Sequence, residues 1–273
     1  MIKRIMVNAF SNITAWVISL LLLIPLYILV VNSFKTQGEA LTMSVKLPTS
    51  LHLENYLVVI SRGKLVTAFF NSSLYSILAI VIGIVTSSMA AFVLARRKNM
   101  ISRIIYFFII LGITMPLNFV SLMKIMQVTG LLDSQLGMCL LYPAMQTSFS
   151  VFLIYGFVSK VPKELDEAAV IDGCSSFRLF FSIVFPLLKP VLVTVCILNF
   201  MGVWNDFISA TYLLKSSDKW PMTLAVYSFF GMYIKEWNLV AADIVLTSFP
   251  VVLIYLLGQR YIVAGMTAGA VKG

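Results

Sequence analysis

Six long runs of apolar residues, separated by shorter polar stretches, set the pattern of this chain. They lie at about 12–33, 67–95, 104–126, 136–159, 191–214 and 239–259. A helix needs about 20 mostly apolar residues to cross a hydrocarbon core about 30 Å thick, and each run is long enough. The pattern predicts an all-α integral membrane protein of about six transmembrane helices, read as one membrane domain over residues 1–273. The first run follows Met1-Ile2-Lys3-Arg4, which would suit a secretory signal. Its length, its Pro25 and the lack of a small-residue cleavage site predict a retained helix instead.

The polar stretches carry the next layer of information. The cluster Arg96-Arg97-Lys98, with Arg103 close by, falls between the second and third runs, and Lys160, Lys163, Arg178 and Lys189 fall between the fourth and fifth. With the N-terminal Lys3 and Arg4, these basic residues share one side of a six-span chain, so the positive-inside rule predicts that both termini are cytoplasmic. Two outer segments follow, 35–66 and 215–238. The second mixes Lys219, Trp220 and Pro221 with Tyr227, Phe229, Phe230, Tyr233 and Trp237, too apolar for a solvated linker.

Composition sharpens the membrane reading. Only 11% of residues are charged and 60% are hydrophobic, against about 25% charged in an ordinary soluble domain. The net charge of +9 sits at the ends of apolar runs, without an aromatic and basic platform for stacking bases, so no nucleic-acid partner is expected. His52 is the single histidine, and Cys139, Cys174 and Cys196 have no metal-ligand spacing. A metal centre, a disulfide framework and a catalytic triad are all left without residues.

The segment 160–190 is charged, short and helix-compatible. Pro162 suits a first helical turn, Glu164, Asp166 and Glu167 complement the positive end of a helix dipole, and Gly173 suits the left-handed residue that ends a helix. Ser175 or Ser176 can cap a second helix, which Pro186 and Pro190 then break. On the first helix Glu164, Ala168 and Ile171 share one face, and Leu165, Ala169 and Asp172 share the next. Two readings stay open on spacing alone: a knob for a soluble partner, or an amphipathic connector lying on headgroups.

The run Glu167-Ala168-Ala169-Val170-Ile171-Asp172-Gly173, followed by Phe177 and by Phe185-Pro186-Leu187 with Pro190, resembles the EAA loop of ABC importer permeases. Trp204-Asn205-Asp206-Phe207 and the tail opening Gln259-Arg260-Tyr261-Ile262-Val263-Ala264-Gly265 are similar to the carbohydrate branch, the permeases of maltose-type importers. The likeness covers essentially the whole chain, although Cys174 and Asp243 are less typical. It implies that Glu167, Ala168, Ala169, Asp172 and Gly173 contact a cytoplasmic ATPase dimer, and that Gly269, Ala270 and Lys272 reach between its subunits, where composition alone reads a frayed end. It further implies a second permease subunit, an extracytoplasmic sugar-binding protein and a sugar substrate, all in a prokaryotic cytoplasmic (inner) membrane. No Gly-x-x-x-x-Gly-Lys-Ser/Thr loop occurs in the sequence, so ATP and magnesium are expected on the partner ATPase, with no cofactor and no catalytic site on this chain.

Within the spans, Asp206 stands out because a carboxylate near mid-helix costs about 3 kcal/mol to insert. Trp204, Asn205 and Asp206 can line a sugar passage, or Asp206 can pair with the second permease subunit; Met115, Asn118, Tyr142 and Asn199 are further candidates. Pro116 and Pro143 are expected to bend their helices. The 215–238 segment suits either a binding-protein contact or headgroup anchoring. A different class, an ion-coupled secondary transporter, would use Asp206 and Asp243 as relays, but such transporters often show internal repeats, and the sequence has no convincing one. Within the importer class, glycerol phosphate is an alternative cargo.

Overall fold

The computed structural model describes the backbone of residues 2–230 and 236–270, with side chains over 11–230 and 236–262. Its regular elements are helices: α1 (Ile2–Ser33), α2 (Gln37–Ala40), α3 (Glu54–Arg62), α4 (Leu65–Arg96), α5 (Met100–Thr114), α6 (Phe119–Val128), α7 (Gln135–Val158) and α8 (Glu164–Ile171). Then follow α9 (Ser176–Leu187), α10 (Lys189–Trp204), α11 (Ile208–Leu213) and α12 (Trp237–Ala270). Four of them are long and apolar enough to cross a membrane unaided, and two bent pairs raise the number to six. In lipid every backbone polar group must find a partner within the protein, which is why apolar runs of this length fold as helices.

The bent pairs are where structure departs from the simple pattern. The 104–126 run is divided between α5 and α6, which meet at 113°. Pro116 forces the residue before it into an extended conformation, and Met115 takes ψ 122°. The carbonyl of Asn118 closes the first turn of α6, and its side chain accepts from the Ser121 amide at 3.0 Å. The α9–α10 pair turns by 78° at Leu188, between Pro186 and Pro190, and α9 itself contains a π-helical stretch over Leu179–Val184. Pro143 behaves differently. It sits inside an unbroken α7, and the Thr147 hydroxyl takes up its carbonyl at 2.8 Å.

The chain divides into two compact units. One comprises 1–66 and 225–249. There Lys35 is buried with its ammonium on Asn32 Oδ1 and the Ser44 carbonyl, and Asn55 donates to the carbonyls of Ser33 and Lys35. Asn238 donates to Asn55 in turn, and Arg62 pairs with Glu236. The most apolar stretch of α1, by contrast, buries nothing within the chain.

The other unit comprises 67–224 and 250–273 and is built on α4, α7 and α10. At one end Ala91, Leu94, Val151, Ile154, Val158, Leu188 and Val191 form a core. At the other, Tyr75, Ala79, Met138, Tyr142, Val203 and Leu213 form a second. The stretch of α12 around 258–261 lies close on α10: Thr194 donates to the Tyr261 carbonyl at 2.9 Å, and a Cβ at Gly258 would stand 2.6 Å from Ile197 Cδ1. Glycine is what permits that approach between helices in lipid.

Candidate functional site

Two places gather the residues that the sequence singles out. The first is the elbow formed by α8 and α9. Its first helix ends at Ile171 with Asp172 as the C-cap, after which Gly173 takes φ +75°. The Gly173 amide donates to the Val170 carbonyl at 3.0 Å and the Cys174 amide to the Ala169 carbonyl at 2.9 Å. That pair of bonds is the Schellman arrangement, and it needs a left-handed residue where this chain has glycine. Ser175 then caps α9, its hydroxyl accepting from the Arg178 amide at 3.4 Å.

The elbow is fastened to its own bundle on one side only. Ala169 is 3% exposed and belongs to the core made by α4, α7, α9 and α10. Arg96, the last residue of α4, reaches over it. Its guanidinium Nε lies 2.5 Å from Asp166 Oδ2, and Nη1 donates to the carbonyl of Val161 at 3.0 Å. One planar fork thus joins the end of α4, the turn after α7 and the first turn of α8.

The opposite side of the elbow is open. Glu167, Ala168, Asp172 and Gly173 are exposed, together with Val170 at 62%, Ile171 at 85% and Phe177 at 69%. The two neighbouring alanines therefore divide: Ala168 faces out, whereas Ala169 packs inward, a correction to the expectation that both present a surface. Val170 and Phe177 carry much of the exposed apolar area; they were quoted within the motif but not named as contact residues, and their signal was an apolar residue on each limb of a polar bend.

The second place is the pair of helix breaks. At the α10–α11 break, Asp206 Oδ2 accepts from the Tyr142 hydroxyl at 3.0 Å, and Oδ1 accepts from the Ser209 amide and hydroxyl at 3.3 and 3.1 Å. The carboxylate caps α11 and ties it to α7, so its charge is met inside this chain. Asn205 is exposed beside it. Trp204 is 2% exposed, stacked on Phe200 with ring centroids 5.2 Å apart and edge-on to Phe69. The expected open indole face is corrected here, because neighbouring aromatics already occupy it. At the α5–α6 break, Met115 and Asn118 are both exposed. The two breaks belong to one assembly, since Phe119 of α6 stacks on Tyr212 of α11 at 4.9 Å. Asn199 is buried and donates to the Ser150 hydroxyl at 3.1 Å, holding α10 to α7. Of the tail residues, Gly269 and Ala270 lie on the backbone of α12 and Lys272 lies outside the described residues.

Comparison with known proteins gives this geometry a family. Residues 79–268 match the model of the binding-protein-dependent transport system inner membrane component. The chain is 37% identical to a Thermoanaerobacterium thermosulfurigenes protein named "Probable starch degradation products transport system permease protein", over 94% of each chain. It is 33% identical to the melibiose/raffinose/stachyose import permease protein of Bacillus subtilis, covering 92% of this chain and 91% of that one. The diacetylchitobiose uptake system permease protein of Streptomyces coelicolor is also 33% identical, over 93% and 85%. In fold, it superposes with a TM-score of 0.79 and 21% identity on a chain of a bacterial ABC transporter involved in the import of the acidic polysaccharide alginate, covering 93% of this chain and 96% of that one. An all-helical, multi-pass chain with this match over most of its length belongs to the binding-protein-dependent transport system inner membrane components, the permeases of ABC transporters.

Proposed function

We propose that this chain is one of two non-identical permease subunits of an ABC importer that moves a sugar or oligosaccharide handed over by an extracytoplasmic binding protein. The named relatives are permeases for starch products, melibiose-type sugars and diacetylchitobiose, which supports a carbohydrate cargo. The driving energy comes from a separate cytoplasmic ATPase dimer, which holds the ATP and magnesium, and it enters through the α8–α9 elbow. The observation that carries this reading is the elbow's two-sidedness. Ala169 and Asp166 lock it to the bundle while Ile171, Val170 and Phe177 stand exposed beside Glu167 and Asp172. An exposed apolar patch rimmed by charge, on an element fixed to several spans, suits a contact through which force is passed. The C-terminal residues Gly269, Ala270 and Lys272 are assigned to the same ATPase contact. The breaks at Met115, Asn118, Asn205 and Asp206 are assigned to the sugar pathway, with Trp204 supporting it from behind.

Co-purification followed by sugar-stimulated ATPase measurement in proteoliposomes tests the reading. Glu167→Lys and Ile171→Asp are expected to abolish stimulation and uptake while membrane insertion continues. Gly173→Asp adds strain to a left-handed residue, so Gly173→Asn, which tolerates that conformation better, serves as its control and is expected to retain most coupling. Normal uptake with normal ATPase assembly in the first two variants would contradict the assignment.

A further inference from the structure

A cavity of about 620 Å³ opens where α4 ends, α5 begins and α7 passes into α8. Its wall includes Arg96, Arg97, Lys98, Arg103, Lys160 and Lys163. Against these cations the wall has a single carboxylate, Glu164. Arg96 is engaged by Asp166, but among the described residues Arg97, Lys98, Arg103 and Lys163 form no ion pair. Like charges gathered around one hollow repel one another, and an anion between them relieves the repulsion.

The hollow is more than a charged rim. Ser102 lines it, is 7% exposed, and its hydroxyl donates to no described residue; only its backbone amide is engaged, by Asn99. That hydroxyl is not sealed in the interior, so it is free to donate to a ligand that enters the hollow. The inner wall is aromatic, with Tyr106 and Tyr155 stacked at 3.9 Å. Next to it α5 presents Ile101, Ile104, Phe107 and Phe108, all more than half exposed. Cations at the mouth, a phenolic wall and an apolar flank on a spanning helix match the headgroup, glycerol and acyl layers of a phospholipid in order.

We propose that this cavity binds the phosphate of an anionic phospholipid, with Arg97, Arg103 and Lys163 around the headgroup and the Ser102 hydroxyl donating to a phosphate oxygen. Pro162, Lys163 and Glu164 belong to the same wall, so the lipid braces the start of α8 against the start of α5. The proposal is independent of what docks on the outer face of the elbow.

The test uses the full chain, with any partners that accompany it, in nanodiscs of mixed phosphatidylglycerol and phosphatidylcholine, counting retained lipids by native mass spectrometry. Preferential retention of phosphatidylglycerol, undisturbed by excess inorganic phosphate, is expected. At about fivefold per cation, Arg97→Gln with Arg103→Gln is expected to weaken retention roughly 25-fold. Arg178→Gln with Lys189→Gln removes the same charge outside the cavity and is expected to change it less than about twofold on the same scale. Ser102→Ala leaves every charge in place and is expected to weaken retention several-fold, which keeps the test open should the arginine pair fail to fold. Equal loss in both charge pairs, an unaltered Ser102→Ala, capture of inorganic phosphate without lipid preference, or loss of an acidic protein partner with lipid retention unchanged would each overturn the proposal.

Discussion

Asp133 occupies the turn between α6 and α7 at φ +54°, and donors converge on it from one neighbouring segment. The amides of Lys215 and Ser216 reach Oδ1 at 2.9 and 3.1 Å, the Ser216 hydroxyl reaches Oδ2 at 2.5 Å, and the Lys219 ammonium reaches the backbone carbonyl at 2.6 Å. Burial pushes the Asp133 carboxyl up, but the Ser216 hydroxyl, these amides and Lys219 outweigh it and hold the group at about 2. Because the folded value lies below the ordinary value near 4, the stabilisation is fully present above that value and is lost as pH falls from about 4 to about 2. Trp220, whose indole donates to the Leu214 carbonyl at 3.3 Å, lies within the held segment and reports on it. Its fluorescence, read with the other tryptophans replaced by phenylalanine, is expected to shift over that acid range. In Asp133→Asn the shifted signal is expected already at neutral pH. An acid transition that is identical in the two proteins would refute the assignment.

At the scale of elements, α8 is fastened from outside by Arg96, which pairs with Asp166 of its first turn. Arg96 and Asp166 have side chains 13% and 16% exposed, so the pair is largely withdrawn from water. Removing one partner leaves the other charge poorly solvated, at a cost of about 3 kcal/mol. Arg96→Ala is therefore expected to lower thermal stability and to loosen the coupling of ATP hydrolysis to uptake. Arg96→Lys keeps the charge without the fork that reaches Val161 and Asp166 together, so it should recover only part of the loss. Full recovery by lysine would mean that charge alone matters. Nothing in the sequence announced this pairing, since Arg96 and Asp166 are separated by two whole spans and read separately as an orientation signal and a dipole complement. The caps were legible because they are local: Gly173 ends α8 and Ser175 starts α9 through bonds within a few residues. The prolines were only half legible. Pro116 marks a 113° bend and Pro143 an unbroken helix, so a proline in an apolar run does not by itself say where a span breaks.

For the molecule as a whole, apolar run length pointed to an all-helical, multi-pass chain, and the helices give four candidate spans, or six with the two bent pairs. It was silent about which side chains the bundle buries, so the indole of Trp204 was read as lining a passage when Phe69 and Phe200 pack on it, whereas Asp206 beside it stays half-buried. The orientation deduced from Arg96-Arg97-Lys98 remains a whole-molecule expectation with a direct check. In a chain freed of Cys139, Cys174 and Cys196, a membrane-impermeant maleimide applied to intact cells is expected to label Lys46→Cys and to spare Lys98→Cys until the membrane is opened. Labelling of the second site in intact cells would reverse the topology.

The stack of Phe119 on Tyr212 and the bond from the Asp133 amide to the Leu213 carbonyl rivet α6 to α11. Two short helices so joined are expected to move together. Under the proposed importer function, bending is expected to fall at 115–118 and 205–207, the two unwound joints beside these helices, and a crosslink across either joint is expected to slow uptake.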